Sequence, residues 1–184
     1  RWHLLTNLCR AGAAGEAEIA AELERDATAR GAERAAGARA ALPSAEAKAE
    51  AWRLATVEDT PNETQFQICA NFWQYGQDEV LAPFVSSYRE VAEAISAGRD
   101  GWADRSSAIR QHVLGLLFPR TLMDREALAS LDAWLAEVEL TDAVSRQVLE
   151  RRDDAERALR CQEAAQGGGS VFLARLACLA GRLP

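Results

Sequence analysis

Apolar residues recur along this 184-residue chain at intervals of three and four, the period of a helix that buries one face. Trp2, Leu5, Leu8 and Cys9 make the first such stripe. It stops at Ala11-Gly12, where Gly12 suits a C-terminal cap. Glu16 to Arg25 makes a second helix with Ile19 and Leu23 inward. A third, Ala-rich helix starts from a cap at Asp26 or Thr28 and runs to Ala41, and Pro43 closes it. Ser44 caps a fourth, whose stripe is Ala45, Lys48, Ala49 and Trp52, with the Lys48 stem lying along it.

Glu58–Asn62 reads as a turn, with Asn62 as an N-cap. The next stripe is Phe66, Cys69, Ala70 and Trp73, ended by Gly76. Gln77–Leu81 is a short turn. Pro83 then starts a long helix with Val85, Tyr88, Val91, Ala92 and Ile95 on one side, and Gly98 stops it. A helix from about Trp102 to Phe118 carries Ile109, Val113, Leu116 and Leu117, and Pro119 blocks its continuation. Asp124 caps another, with Leu128, Leu131, Leu135 and Val138 inward. Thr141 or Asp142 caps the last, through Val144, Val148, Leu149, Ala155 and Leu159.

No alternating run competes with this pattern, so the fold class is all-α. Turns of two to eight residues make neighbouring helices antiparallel. The expected architecture is a stack of antiparallel helical hairpins in a HEAT/armadillo-like curved layer, without a strict sequence repeat. Residues 1–166 make this helical domain. Gly167-Gly168-Gly169-Ser170 reads as a Gly-rich linker. Residues 171–184 read as an amphipathic tail, with Phe172, Leu176, Leu179 and Leu183 on one face and Arg175 and Arg182 off it.

Composition sharpens the class more than the function. Hydrophobic residues make up 48% and charged residues 27%, and the net charge is −7. An acidic balance argues against a nucleic-acid footprint and against an anionic membrane surface. No apolar stretch approaches the length of a membrane span. Cys9, Cys69, Cys161 and Cys178 form no CxxC pair and read as reduced thiols of a cytoplasmic protein, with a Cys161–Cys178 bridge across the glycines as the alternative. The chain begins at Arg1 and has the character of a segment of a longer polypeptide, with no secretory leader in Arg1–Arg10.

The chain carries few motifs of reactive chemistry. Two histidines, His3 and His112, with no HExxH and no cysteine pair, do not make a zinc site, and both read as packing or surface residues. There is no GxSxG and no phosphate loop, so neither catalytic nor cofactor-binding residues are assigned. The candidates for a peptide groove are Trp73, Tyr75 and Tyr88, whose amphipathic rings suit a partly exposed wall, and Arg152 and Arg157, which offer carboxylate binding. The competing reading of Arg152, Arg157 and Arg160 is a salt-laced helix face, since acids interleave with them.

Gly15–Leu23, Leu42–Trp52, Leu116–Leu122 and Arg157–Arg160, in this order and spacing, resemble the C-terminal helical domain of an actinobacterial-type aminopeptidase N of the M1 zinc metallopeptidase family. Arg1–Leu5 is similar to a helix from the middle of that domain. The resemblance implies an upstream catalytic domain in the same polypeptide, holding zinc. It also implies peptide substrates, and a helical bowl that walls the active-site chamber and helps dock peptides. None of the family's catalytic motifs occurs here, so no zinc or catalytic residue carries over. The alternative is a standalone, non-catalytic helical module that binds a peptide or protein, including its own tail.

Overall fold

The computed structural model describes the backbone of residues 1–180 and the side chains of residues 1–165. Its α-helices are α1 (Trp2–Arg10), α2 (Glu16–Arg25), α3 (Ala29–Ala40), α4 (Ala45–Thr56), α5 (Asn62–Phe72), α6 (Asp78–Leu81), α7 (Phe84–Ala97), α8 (Ser107–Leu116), α9 (Arg125–Glu137) and α10 (Asp142–Ala180). There is no strand among the described residues.

Capping chemistry sets half of the ten helix starts. Thr28, Ser44, Ser106 and Asp124 each accept a hydrogen bond from the backbone N–H three residues on. Glu18 reaches back to the backbone N–H of Gly15 at 2.8 Å and closes the first turn of α2. Gly12 and Gly98 take left-handed backbone just past the ends of α1 and α7, as expected. Several boundaries differ from the sequence reading: Asn62 lies inside α5 and makes no side-chain cap bond, Gln77–Leu81 holds the short helix α6 rather than a turn alone, and α8 ends at Leu116 rather than Phe118. α5 ends at Phe72 rather than Gly76, because Trp73 is extended. α8 starts at its Ser106 cap rather than at Trp102, which sits in the preceding turn with its ring buried.

The helices form layers. α1 packs on α3, α3 on α5, α5 on α8 and α8 on α10. Beside this row, α2 packs on α3, α4 on α3 and α5, α7 on α8 and α10, and α9 on α10. α3 has opposite faces in two cores. Ala35 and Ala38 join Cys9 and Ile19, while Ala36 and Ala40 face the larger core around Phe72, Trp73, Tyr88 and Leu117. Its small residues let α5 come close: a Cβ on Gly37 would stand 3.1 Å from the carbonyl oxygen of Gln67.

Helix C-termini buried in such a stack present carbonyls without intrahelical partners. Side chains from neighbouring elements satisfy them. Lys48 donates to Ala40 O and Phe72 O, both at 2.7 Å. Gln77 donates to Arg10 O and Ala41 O, both at 3.0 Å. Arg105 takes Thr56 O and Val57 O at the end of α4. Lys48 corrects the sequence reading: its head is buried with its stem, because two helix ends converge on it.

Cys9 and Cys69 are buried free thiols, and burial pushes the Cys69 thiol up to about 12. Cys161 is exposed and free, and the side chain of Cys178 lies outside the described set. The α10 backbone passes as helix through 167–170, where the sequence reads a linker. The tail's side chains and residues 181–184 lie outside the described residues.

Candidate functional site

Pro119 cannot continue α8, and the chain turns into a single 3-10 turn at Arg120–Leu122. That turn brings Arg120 and Thr121 over the end of a groove between α8 and α10. The groove consists of two adjoining cavities of about 300 and 310 Å³ that share Gly115, Leu116 and Arg151. Phe118, Met123, Ala155 and Leu159 supply apolar surface to the first, and Tyr75 stands at its edge. Phe66, His112 and Gln147 line the second. A Cβ on Gly115 would meet nothing within 4 Å, so this helical glycine leaves the shared wall open.

Of the five residues proposed from sequence, one lines this groove. Tyr75 is 73% exposed, placed there by extended Trp73 and by Gly76 at φ +79°. Trp73 and Tyr88 are corrections. Trp73 is buried and its Nε1–H donates to Leu117 O at 2.7 Å. Tyr88 is buried, donates to Leu114 O at 2.8 Å, and has its phenol pushed up by burial. Each ring fills the core, and its polar tip seals a carbonyl at the end of α8.

Arg152 and Arg157 are engaged elsewhere. Arg152 Nε and Nη2 form a fork with Asp132 at 2.8 Å each, and Nη1 pairs with Glu156, so its guanidinium is held charged. Arg157 pairs with Asp154 on the exposed side of α10. These are the salt-laced contacts that the interleaved acids suggested.

The sequence reading missed Arg120 and Arg151 as groove residues. Arg151 pairs with Asp154 at 3.1 Å, whereas Arg120 is exposed and makes no ion pair among the described residues. The available signal was Gly115 inside the apolar run Val113–Phe118, followed by Pro119: a hole in a helix face, then a forced turn.

His112 belongs to a fixed network. Gln65 of α5 is buried, and its Nε2 donates to Ala55 O at 3.0 Å and Ile109 O at 3.4 Å. Its Oε1 stands 3.1 Å from His112 Nδ1. Burial holds the His112 pKa below its ordinary value, opposed by the charge of Glu63.

A further cleft of about 330 Å³ lies between α3 and α4, floored by Ala36, Ala40, Ala47 and Ala51. Its rim is charged, with Arg39 forked on Glu16 and with Glu46 and Glu50 beside them. Among the described residues, no three His, Cys, Asp or Glu side chains come together as a metal requires. No described helix is long and apolar enough to cross a membrane.

Layered helices with a groove between two of them define an all-α helical domain. The chain belongs to the ERAP1-like C-terminal domain family, whose model matches residues 1–157. It is 42% identical over 165 residues to aminopeptidase N of Streptomyces lividans. That match covers 89% of this chain and 19% of the relative, so the chain spans about a fifth of the relative's length.

Proposed function

We propose that this chain is a non-catalytic helical part of an M1 zinc aminopeptidase, a cytoplasmic enzyme that removes N-terminal residues from peptides. In this reading the catalytic domain, with its zinc, precedes the segment in the same polypeptide. The helical stack walls the active-site chamber, and the α8–α10 groove docks peptide away from the reacting bond.

The observation that carries the docking role is the groove itself. Its two cavities adjoin through Gly115, Leu116 and Arg151, a continuous run along which an extended peptide could lie. Its apolar surface takes side chains, and Tyr75 offers a rigid aromatic edge. Arg120 provides a positive charge that no acid of the described chain neutralises, suited to a peptide carboxylate. The wall's contribution to a reaction is positioning and exclusion of water, not bond making.

Peptide affinity tests the proposal. A fluorescein-labelled decapeptide of alanine and leucine with a free C-terminal carboxylate should bind the chain and bind Arg120→Glu at least tenfold more weakly. Equal affinity for both proteins removes Arg120 from the account, and no binding to the wild type removes the groove.

A further inference from the structure

The mouth of the second cavity holds an imidazole whose protonation is determined by its neighbours. Gln65 has no freedom of orientation: its NH2 group is spent on Ala55 O and Ile109 O. The group facing His112 Nδ1 is therefore the amide oxygen, which only accepts. Nδ1 must carry the hydrogen. In the neutral ring, Nε2 is then left as a bare acceptor, and no described residue hydrogen-bonds to it. Phe66 holds the ring from the side, edge-on at a centroid distance of 5.2 Å. Nearby, Gln147 Oε1 is buried without a donor. Gln111 and Arg151 line the same cavity and can donate, yet these two acceptors are left without a partner among the described residues. A peptide main chain, with an N–H at each residue, supplies what is missing.

We propose that His112 is a specificity-determining residue of the groove: its Nε2, presented by the Gln65-fixed tautomer, accepts a hydrogen bond from a peptide main-chain N–H, and protonation of that nitrogen weakens peptide binding. The inference rests on the docking role of the groove proposed above.

Every element packed on α8 near the ring contributes to its field. Glu63 of α5 favours the charged ring, and burial opposes it. Glu150 and Arg151 of α10 line the same cavity with opposite charges. From α7, Tyr88 is turned to Leu114 O and faces away from the imidazole. Protonation places a second N–H where the peptide also presents an N–H, so two donors meet and the bond is lost.

The test is affinity of the same labelled decapeptide at pH 8 and pH 5.5, for the wild type, His112→Gln and His112→Ala. Wild type should bind several-fold more weakly at pH 5.5, short of the roughly tenfold that an unperturbed imidazole would give. His112→Gln, which keeps an amide oxygen near the Nε2 position, should bind within about threefold of wild type at pH 8 and lose most of the pH dependence. His112→Ala should bind weakly at both values. Circular dichroism of each protein guards against a folding defect. A pH dependence that persists in His112→Gln arises outside this imidazole and overturns the inference. So does a wild-type affinity equal at both pH values, which leaves the docking role standing. Failure of wild type to bind at pH 8 overturns the docking role, and this inference with it.

Discussion

Lys48 Nζ donates to the carbonyl oxygen of Phe72 at 2.7 Å and lies 5.3 Å from the centre of the Phe72 ring. The same nitrogen donates to Ala40 O, so one ammonium seals the last residues of α3 and α5. Helix C-termini carry partial negative charge and favour a cation. Burial nevertheless dominates and pulls the Lys48 pKa down to about 7.

The pH dependence of stability follows from that depression. An unfolded lysine titrates near pH 10.4. Between about pH 7 and 10 the unfolded chain holds the proton and the folded chain does not. Stability therefore rises with pH across this window, by up to about 1.4 kcal/mol per unit. Below pH 7 both states are protonated and the contribution is flat. Lys48→Met removes the titration and leaves two carbonyls unpaired. In urea unfolding, its deficit against wild type should widen from pH 7 to pH 9, and a constant deficit contradicts the account.

Gly31 should behave opposite to its helix propensity. Alanine in a helix normally gains about 1 kcal/mol over glycine. A Cβ on Gly31, however, would stand 1.9 Å from Asp26 O. Gly31→Ala should lose about 1–3 kcal/mol through this clash. Gly115→Ala, with open space around its Cβ, should hold or raise stability while projecting a methyl into the groove. Thermal melts of the two variants should move in opposite directions, and peptide affinity should fall in Gly115→Ala.

Trp73 and Tyr75 are two residues apart and should separate stability from binding. Trp73→Phe leaves Leu117 O unpaired and should cost about 1–3 kcal/mol. Tyr75→Ala changes an exposed side chain and should stay within about 0.5 kcal/mol of wild type. Paired urea melts and peptide titrations should show stability lost in the first and affinity lost in the second.

Aminoacyl fluorogenic substrates test the non-catalytic assignment. The purified 184-residue chain should give no turnover above buffer, with or without added zinc. Zinc-dependent release of the fluorophore contradicts the assignment.

The helices were legible because local chemistry fixes them. Thr28, Ser44 and Asp124 cap as their side chains predict, and Gly12 and Gly98 sit where only left-handed backbone closes the end. Where long-range contacts decide, the sequence was silent. Trp102 is drawn out of α8 into a buried turn, where Arg105 packs on its ring at 4.2 Å. Lys48 looked like a snorkelling stripe residue, since nothing local announces that α3 and α5 both end at its head. The groove suffered in the same way. Trp73 and Tyr88 have the ring chemistry of a binding wall, but α8 ends against their polar tips and closes them into the core. Arg120 and Arg151 are 31 positions apart in sequence, and only the turn after Pro119 brings them to one groove.

Amide chemical-shift mapping of the 184-residue chain, titrated with the labelled decapeptide, tests the groove most directly. Perturbations centred on Tyr75, Gly115, Leu116, Arg120 and Arg151 are predicted. Perturbations confined to the α3–α4 cleft around Ala40 and Ala47, or none at saturating peptide, would contradict the account.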